Sequence, residues 1–199
     1  MGEPLEKEHT VKQWVDLMQE TGIKYDYHNG RLYRVNDMAG GSKEHNRLSK
    51  TILGELYAST QGGDCEVHNS DTAIVVDQGE KYVFPDVSVT CGEIDFSEKF
   101  TGAINNPVLV IEVLSNSTAG YDKNDKLKWY FELQSVKEYL LLYQTKAGAI
   151  LFRRLEKESQ YEIHHYLGLE SEIELKSIGQ TLPMRKVYEK VTFDPSHPE

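Results

Sequence analysis

The chain has 199 residues, and at this size folding buries about 70% of the unfolded surface, so a core can form without staples. With 39% hydrophobic and 27% charged residues it fits a soluble globular protein, and global disorder is excluded. Lys and Arg number 22 against 32 Asp and Glu, a net charge of -10. That excludes a generally basic nucleic-acid-coating protein, but not nucleic acid held at a local cleft through a bound cation.

The first ten residues, MGEPLEKEHT, contain no apolar signal region. The longest apolar runs, VLVI and YLLLY, fall far short of the roughly 20 residues that span a bilayer. The expected location is the cytoplasm, with no membrane partner. The only two cysteines, Cys65 and Cys91, fit no zinc pattern or disulfide framework and are expected as reduced core thiols.

In chain order, Val11, Trp14, Val15 and Met18 recur at helical spacing. Thr10 and Gln13 have capping-box spacing, and Gly22 follows as a stop. The spacing predicts a helix over Thr10–Glu20. Strand-like runs at Tyr25–Tyr27 and Leu32–Val35 flank Asn29-Gly30, a hairpin signal. Ser42 caps a predicted helix to about Ser59, with Leu48, Ile52 and Leu56 on one face. Strands are predicted at Cys65–His68, Thr72–Val76, Tyr82–Thr90 and Val108–Leu114. A capped helix is predicted over Asp122–Gln134, followed by strands at Glu138–Tyr143, Ala149–Leu155 and Tyr161–Tyr166. The tail over 180–199, with Pro183, Pro195 and Pro198, is expected to be peripheral. The pattern predicts a single mixed α/β domain with one central mixed β-sheet flanked by helices. The Val108 and Glu138 strands should be parallel, joined by the helix as a crossover.

Two acidic residues stand out. In YVFPDVSVTC the alternation puts Val87, Val89 and Cys91 on one strand face and Asp86, Ser88 and Thr90 on the other. Glu112 lies inside an apolar run, Val108 to Leu114, where a lone carboxylate costs several kcal/mol unless paired or metal-bound. The plain alternative is a structural ion pair. Two carboxylates on neighbouring strands suit Mg²⁺ or Mn²⁺, with the Val113 carbonyl as a third ligand. Lys126 falls early in the next helix, near the strand end where open α/β sheets bind ligands, although Lys123 and Lys128 compete with it. His45, near the start of the Ser42 helix, is a candidate ligand, base or phosphate contact. His164 and His165 point to opposite faces and cannot share one ion. Gly40-Gly41 before a helix is a weak anion-cradle signal. G-x-S-x-G, G-x-x-x-x-G-K-[ST] and H-E-x-x-H are all absent from the sequence.

The segments YDYHNGRLYRV…MAGGSKEHNRL, YVFPDVSVTCG and NNPVLVIEVLSNSTAGYDKNDKLKWYFELQSVKEYLLLYQ together resemble a bacterial family of small proteins called "putative restriction endonuclease", within the PD-(D/E)XK nuclease superfamily. The resemblance spans about Tyr25 to Arg154 and implies a restriction-endonuclease-like fold. In that superfamily an Asp and a Glu on adjacent strands hold Mg²⁺ and a Lys assists the attacking water. Asp86 and Glu112 match the acids. The usual lysine position holds Leu114, and Lys126 takes the place of a lysine moved to the following helix. His45 matches the family's helix histidine, and Asp26 stands, as a shorter acid, where the family has a Glu.

The leading reading is a metal-dependent endonuclease acting on DNA, compatible with a homodimer. The alternative is a nucleic-acid- or protein-binding module that keeps the fold without cutting, which the net charge of -10 favours. A hydrolase of a small phosphorylated compound is a weaker third reading.

Overall fold

A computed structural model describes residues 3–35, 42–115, 119–155 and 160–193. Gly40-Gly41 and the prolines at 195 and 198 lie outside the described residues. The chain opens with α1 (Val11–Thr21), whose Thr10 and Gln13 form the expected capping box and whose Gly22 closes it at φ 66°. β1 (Tyr25–His28) and β2 (Arg31–Arg34) form the hairpin, turned by Asn29 and Gly30 at positive φ. α2 (Lys43–Thr60), capped by Ser42, buries Leu48, Ile52 and Leu56 as its periodicity requires. Then come β3 (Cys65–Asn69), β4 (Ala73–Val76), β5 (Lys81–Val83), β6 (Val87–Cys91), β7 (Ala103–Ile104) and β8 (Leu109–Leu114).

The single Tyr82–Thr90 strand expected from sequence is two strands in two sheets. β5 joins a five-stranded sheet of order β2-β1-β5-β4-β7. β6 joins a six-stranded sheet that continues through β9 (Glu138–Tyr143), β10 (Gly148–Arg154) and β11 (Tyr161–Leu167), in the order β11-β10-β9-β8-β6-β3. The break falls at Phe84-Pro85-Asp86, where proline has no N–H to offer a ladder. The mixed α/β architecture stands, with the expected central sheet divided in two. β8 and β9 are parallel, as the crossover requires.

That crossover is a helix with a defect. α3 (Ala119–Tyr121) passes into a π turn over Asp122–Lys126 and resumes as α4 (Leu127–Glu132). The helix therefore begins before Asp122, which is not its cap.

Apolar side chains of the two sheets meet in one cluster, in which Ile74, Val83 and Ile104 face Val110, Leu114, Tyr139 and Leu141. The other face of the six-stranded sheet packs on α2 and on a C-terminal unit that the sequence pattern did not reveal. That unit is the ribbon β12 (Glu172–Leu175) and β13 (Gln180–Pro183), followed by α5 (Met184–Val187). Leu182, Met184, Val187 and Tyr188 are buried, so the first part of the segment after Gly179 is core rather than a peripheral wrap.

The thiol expectation is also corrected. β3 and β6 pair with Cys65 directly opposite Cys91, and the two form a disulfide with Cα atoms 4.0 Å apart. The bridge follows from register, which spacing along the chain does not show. Among the described residues no helix is long and apolar enough to cross a membrane.

Candidate active site

The site forms where β6 stops short of β8. Val87 lies opposite Ile111 in the antiparallel ladder, and one further rung would set Asp86 opposite Glu112 on the same face. Asp86 continues the ladder with its side chain instead: Oδ2 accepts the Val113 N–H at 2.7 Å. The same oxygen lies 3.2 Å from His45 Nε2. His45 comes from the first turn of α2, whose cap Ser42 accepts the His45 amide. Val113 thus serves the site through its N–H, and that bond orients Asp86.

Glu112 is 4% exposed. Its Oε1 accepts from Lys126 Nζ at 2.7 Å and from Tyr130 Oη at 3.1 Å. Lys126 is the buried lysine of its helix; Lys128 is exposed and Lys123 half-exposed. The π turn delivers it, also placing its Nζ 3.4 Å from Asp122 Oδ1 and 5.4 Å from the Tyr121 ring centroid. On the other side Asp26 of β1 is buried and accepts the Phe84 N–H at 3.0 Å, holding the end of β5.

The electrostatics are unbalanced. Asp26, Glu112 and Asp122 surround one ammonium, and Asp86 acts on Glu112 as a further like charge. Burial pushes the Glu112 carboxyl well above the usual range, although Lys126 opposes this. Burial likewise pushes Asp26 up to about 6, against the pull of Lys126 and the Phe84 amide. For Lys126, burial favours the neutral amine, but Glu112, Asp122 and Asp26 together outweigh it and hold the ammonium charged. Beside this cluster burial takes His28 down to about 4, helped by Lys81 and Lys126. Its Nε2 lies 3.3 Å from Tyr121 Oη.

The structure brings all six sequence candidates into one neighbourhood: Asp86, Val113 and His45 on one side, Glu112, Lys126 and Asp26 on the other. Sequence reasoning missed Asp122, Tyr121 and Tyr130 as contacts. The four-residue spacing of Asp122 and Lys126 was a visible signal, whereas Tyr130 read as part of an apolar stripe.

No three His, Cys, Asp or Glu side chains among the described residues group tightly enough to hold a metal ion. The donor set nevertheless fits Mg²⁺ or Mn²⁺. Each of Asp86 and Glu112 uses one oxygen for protein contacts, and its other oxygen takes no hydrogen bond from a described residue. Mg²⁺ keeps several waters and needs only one or two carboxylates, and a cation offsets the surplus negative charge.

Residues 11–185 match the Uma2 family, described as "Putative restriction endonuclease". Two uncharacterized proteins of Synechocystis sp. are similar. One is 35% identical over 181 residues, covering 91% of this chain and 90% of the relative. The other is 29% identical over 165 residues, covering 83% and 91%. Among solved structures, a "putative nuclease belonging to DUF820" from Anabaena variabilis superposes with a TM-score of 0.72. It shares 14% identity and covers 92% of this chain and 99% of its own, a likeness of fold. With its two central sheets, its acids at the β6–β8 junction and a family match over most of its length, the chain belongs to the Uma2 family of restriction-endonuclease-like proteins.

Proposed function

We propose that this chain is a metal-dependent endonuclease that hydrolyses phosphodiester bonds in DNA, with Mg²⁺ or Mn²⁺ held by Asp86, Glu112 and the Val113 carbonyl. The observation that carries the reading is the surplus of buried carboxylates around one ammonium, at a junction where Asp86 and Glu112 come from adjacent strands. A pair kept only for stability would be balanced and fully hydrogen-bonded. When bound, the metal supplies a Lewis acid for the phosphoryl oxygen and a more acidic water.

The chain's own residues do the rest. Val113 N–H and His45 fix the Asp86 carboxylate, and Tyr130 and Lys126 fix that of Glu112. Lys126 brings positive charge toward the transition state. His45, partly exposed beside Asp86, meets substrate phosphate. Asp26, behind Lys126, helps to hold the ammonium charged. Cytoplasmic action belongs to this reading, although the Cys65–Cys91 bridge weighs against a reducing compartment.

The non-cutting module is favoured by the net charge of -10 and by the buried Lys126–Glu112 pair, which closes the lysine off. Calorimetric titration with Mg²⁺ and Mn²⁺, alongside cleavage of plasmid, single-stranded DNA and RNA, separates the two. The nuclease binds metal and cuts DNA, and loses both in the Asp86→Ala, Glu112→Ala double variant. A wild type that cuts none of these substrates supports the module.

A further inference from the structure

The strand β11 forms one edge of the six-stranded sheet, pairing only with β10 among the described residues. It is seven residues long, without proline or lysine. Of the eight large apolar side chains exposed among the described residues, five lie in or beside it: Leu155, Tyr161, Ile163, Leu167 and Leu169. Ile163 is 51% and Leu167 67% exposed. Other edges are guarded differently: β2 presents the exposed charges of Arg31 and Arg34, and β3 is tied to its neighbour by the disulfide. Long apolar edges without such protection are templates for strand pairing.

The occupant follows from charge and register. A chain of net charge -10 repels its own copy wherever acids face each other, yet the one carboxylate in β11 has partners within the protomer, of which Arg153 also serves Glu138. Glu162 lies 3.2 Å from Arg153 and 2.9 Å from His164. In an antiparallel pair centred on the strand Glu162 falls opposite Tyr166, so no two acids of β11 face each other. We propose that β11 is the seam of a homodimer, pairing antiparallel with β11 of a second copy about a twofold axis at His164. Tyr161 of one protomer then lies opposite Leu167 of the other, apolar on apolar, and the two sheets become one of twelve strands.

The axis passes through the sheet, so both candidate sites belong to the same face of the joined sheet, each turned away from the axis by the sheet's twist. His164 is level with Leu151, Leu140 and Ile111, the neighbour of Glu112. From β8 to its copy is seven strand spacings, about 34 Å, close to one turn of B-form DNA. This last consequence, two cuts one turn apart, rests on the nuclease reading; the dimer itself does not.

Sedimentation equilibrium on the full chain without nucleic acid tests the seam. Wild type should give twice the monomer mass of 22.8 kDa. The Ile163→Lys, Leu167→Lys variant should give the monomer, and Tyr57→Lys, an exposed site elsewhere, should remain dimeric. A monomeric wild type overturns the proposal, and so does a dimer that survives both lysines with native circular dichroism. If the lysine variant does not fold, His164→Cys decides. Oxidation should lock it into a covalent dimer that Tyr57→Cys does not form, and failure to lock overturns the seam. On plasmid, wild type should linearise where the monomeric variant only nicks. An inactive wild type refutes the nuclease reading and leaves the mass measurements standing.

Discussion

The six-stranded sheet buries two glutamates that look alike in sequence and behave differently in structure. Glu138, at the start of β9, is 1% exposed. It accepts from Arg153 Nε at 2.7 Å, from the amides of Lys176 and Ser177, and from Ser177 Oγ at 2.6 Å, with both oxygens engaged. Arg153 spreads its remaining donors over Glu162 and the Glu174 carbonyl. Glu112, three strand residues past the matching rung, has two donors on one oxygen and shares its cation with Asp122 and Asp26. A saturated pair is scaffold that ties the C-terminal ribbon to the sheet. An unsaturated, overcharged one retains capacity for a ligand.

The comparison breaks if the scaffold pair is dispensable. Arg153→Ala leaves Glu138 buried without its cation and should destabilise the fold by about 3–5 kcal/mol, read from urea unfolding. Cleavage per folded molecule should stay near wild type; a stability loss below about 1 kcal/mol would contradict the assignment.

The same cut at the site should show in rate. Lys126→Ala should lower cleavage by about 10²–10³-fold, the scale of one lost electrostatic stabiliser. Lys128→Ala, exposed on another face, should do far less. Equal losses would sink the lysine assignment.

Surplus charge also gives a pH signature. The folded state raises Asp26 to about 6 from an ordinary 3.8, so it holds a proton that the unfolded chain releases. The stability this contributes is present below about pH 4, is lost as pH rises to about 6, and amounts to about 3 kcal/mol. His28, lowered to about 4 from 6.5, has the opposite sign: its contribution is lost as pH falls from about 6.5 to about 4, so the two oppose each other in wild type. Asp26→Asn keeps an acceptor for the Phe84 amide and removes one side. In chelator it should be more stable than wild type at pH 8 and not at pH 4. An equal difference at both would show that the carboxyl is not perturbed.

The finest contrast uses one substitution at both places. Glu138→Gln should lower the melting temperature. Glu112→Gln should leave the unfolding free energy within about 1 kcal/mol of wild type or raise it, as expected where a residue serves function against stability, while abolishing metal binding by calorimetry. Matching shifts would erase the distinction between the two glutamates.

What sequence revealed follows the range of its signals. Asp86 and Glu112 were legible because a carboxylate in an apolar or alternating strand has few bland explanations. α1, the first hairpin and α2 were legible from caps and turns that act within a few residues. The split at Phe84–Pro85 was signalled by the proline, but the apolar run on either side reads as one strand. Leu182, Met184, Val187 and Tyr188 reach the core from a two-strand ribbon and a four-residue helix, too short for any period to emerge. The Cys65–Cys91 bridge depended on register, which is a tertiary property. Asp122 read as a cap because composition carries no mark of a π turn.

That π turn sets the phase of the helix on either side of it. A π turn takes up one extra residue within a single turn, so α4 keeps the phase of a regular helix one residue shorter and escapes the turn of about 100° that an extra residue otherwise imposes. Tyr121 is thereby aimed at Asp26 and His28 while Tyr130 is aimed at Glu112, two directions that a regular helix of this length would not serve together. Deleting Asn124, which is exposed, would regularise the helix at no cost in packing area. It would leave Tyr121 and Tyr130 at nearly their present angle to one another, because the residue removed is the one that the π turn takes up. A residue lost from α4 instead turns the two apart by about 100°. Tolerance to a deletion is therefore set along this helix by aim rather than by stability, and a shortened helix that folds well yet is inactive is the expected outcome only outside the π turn.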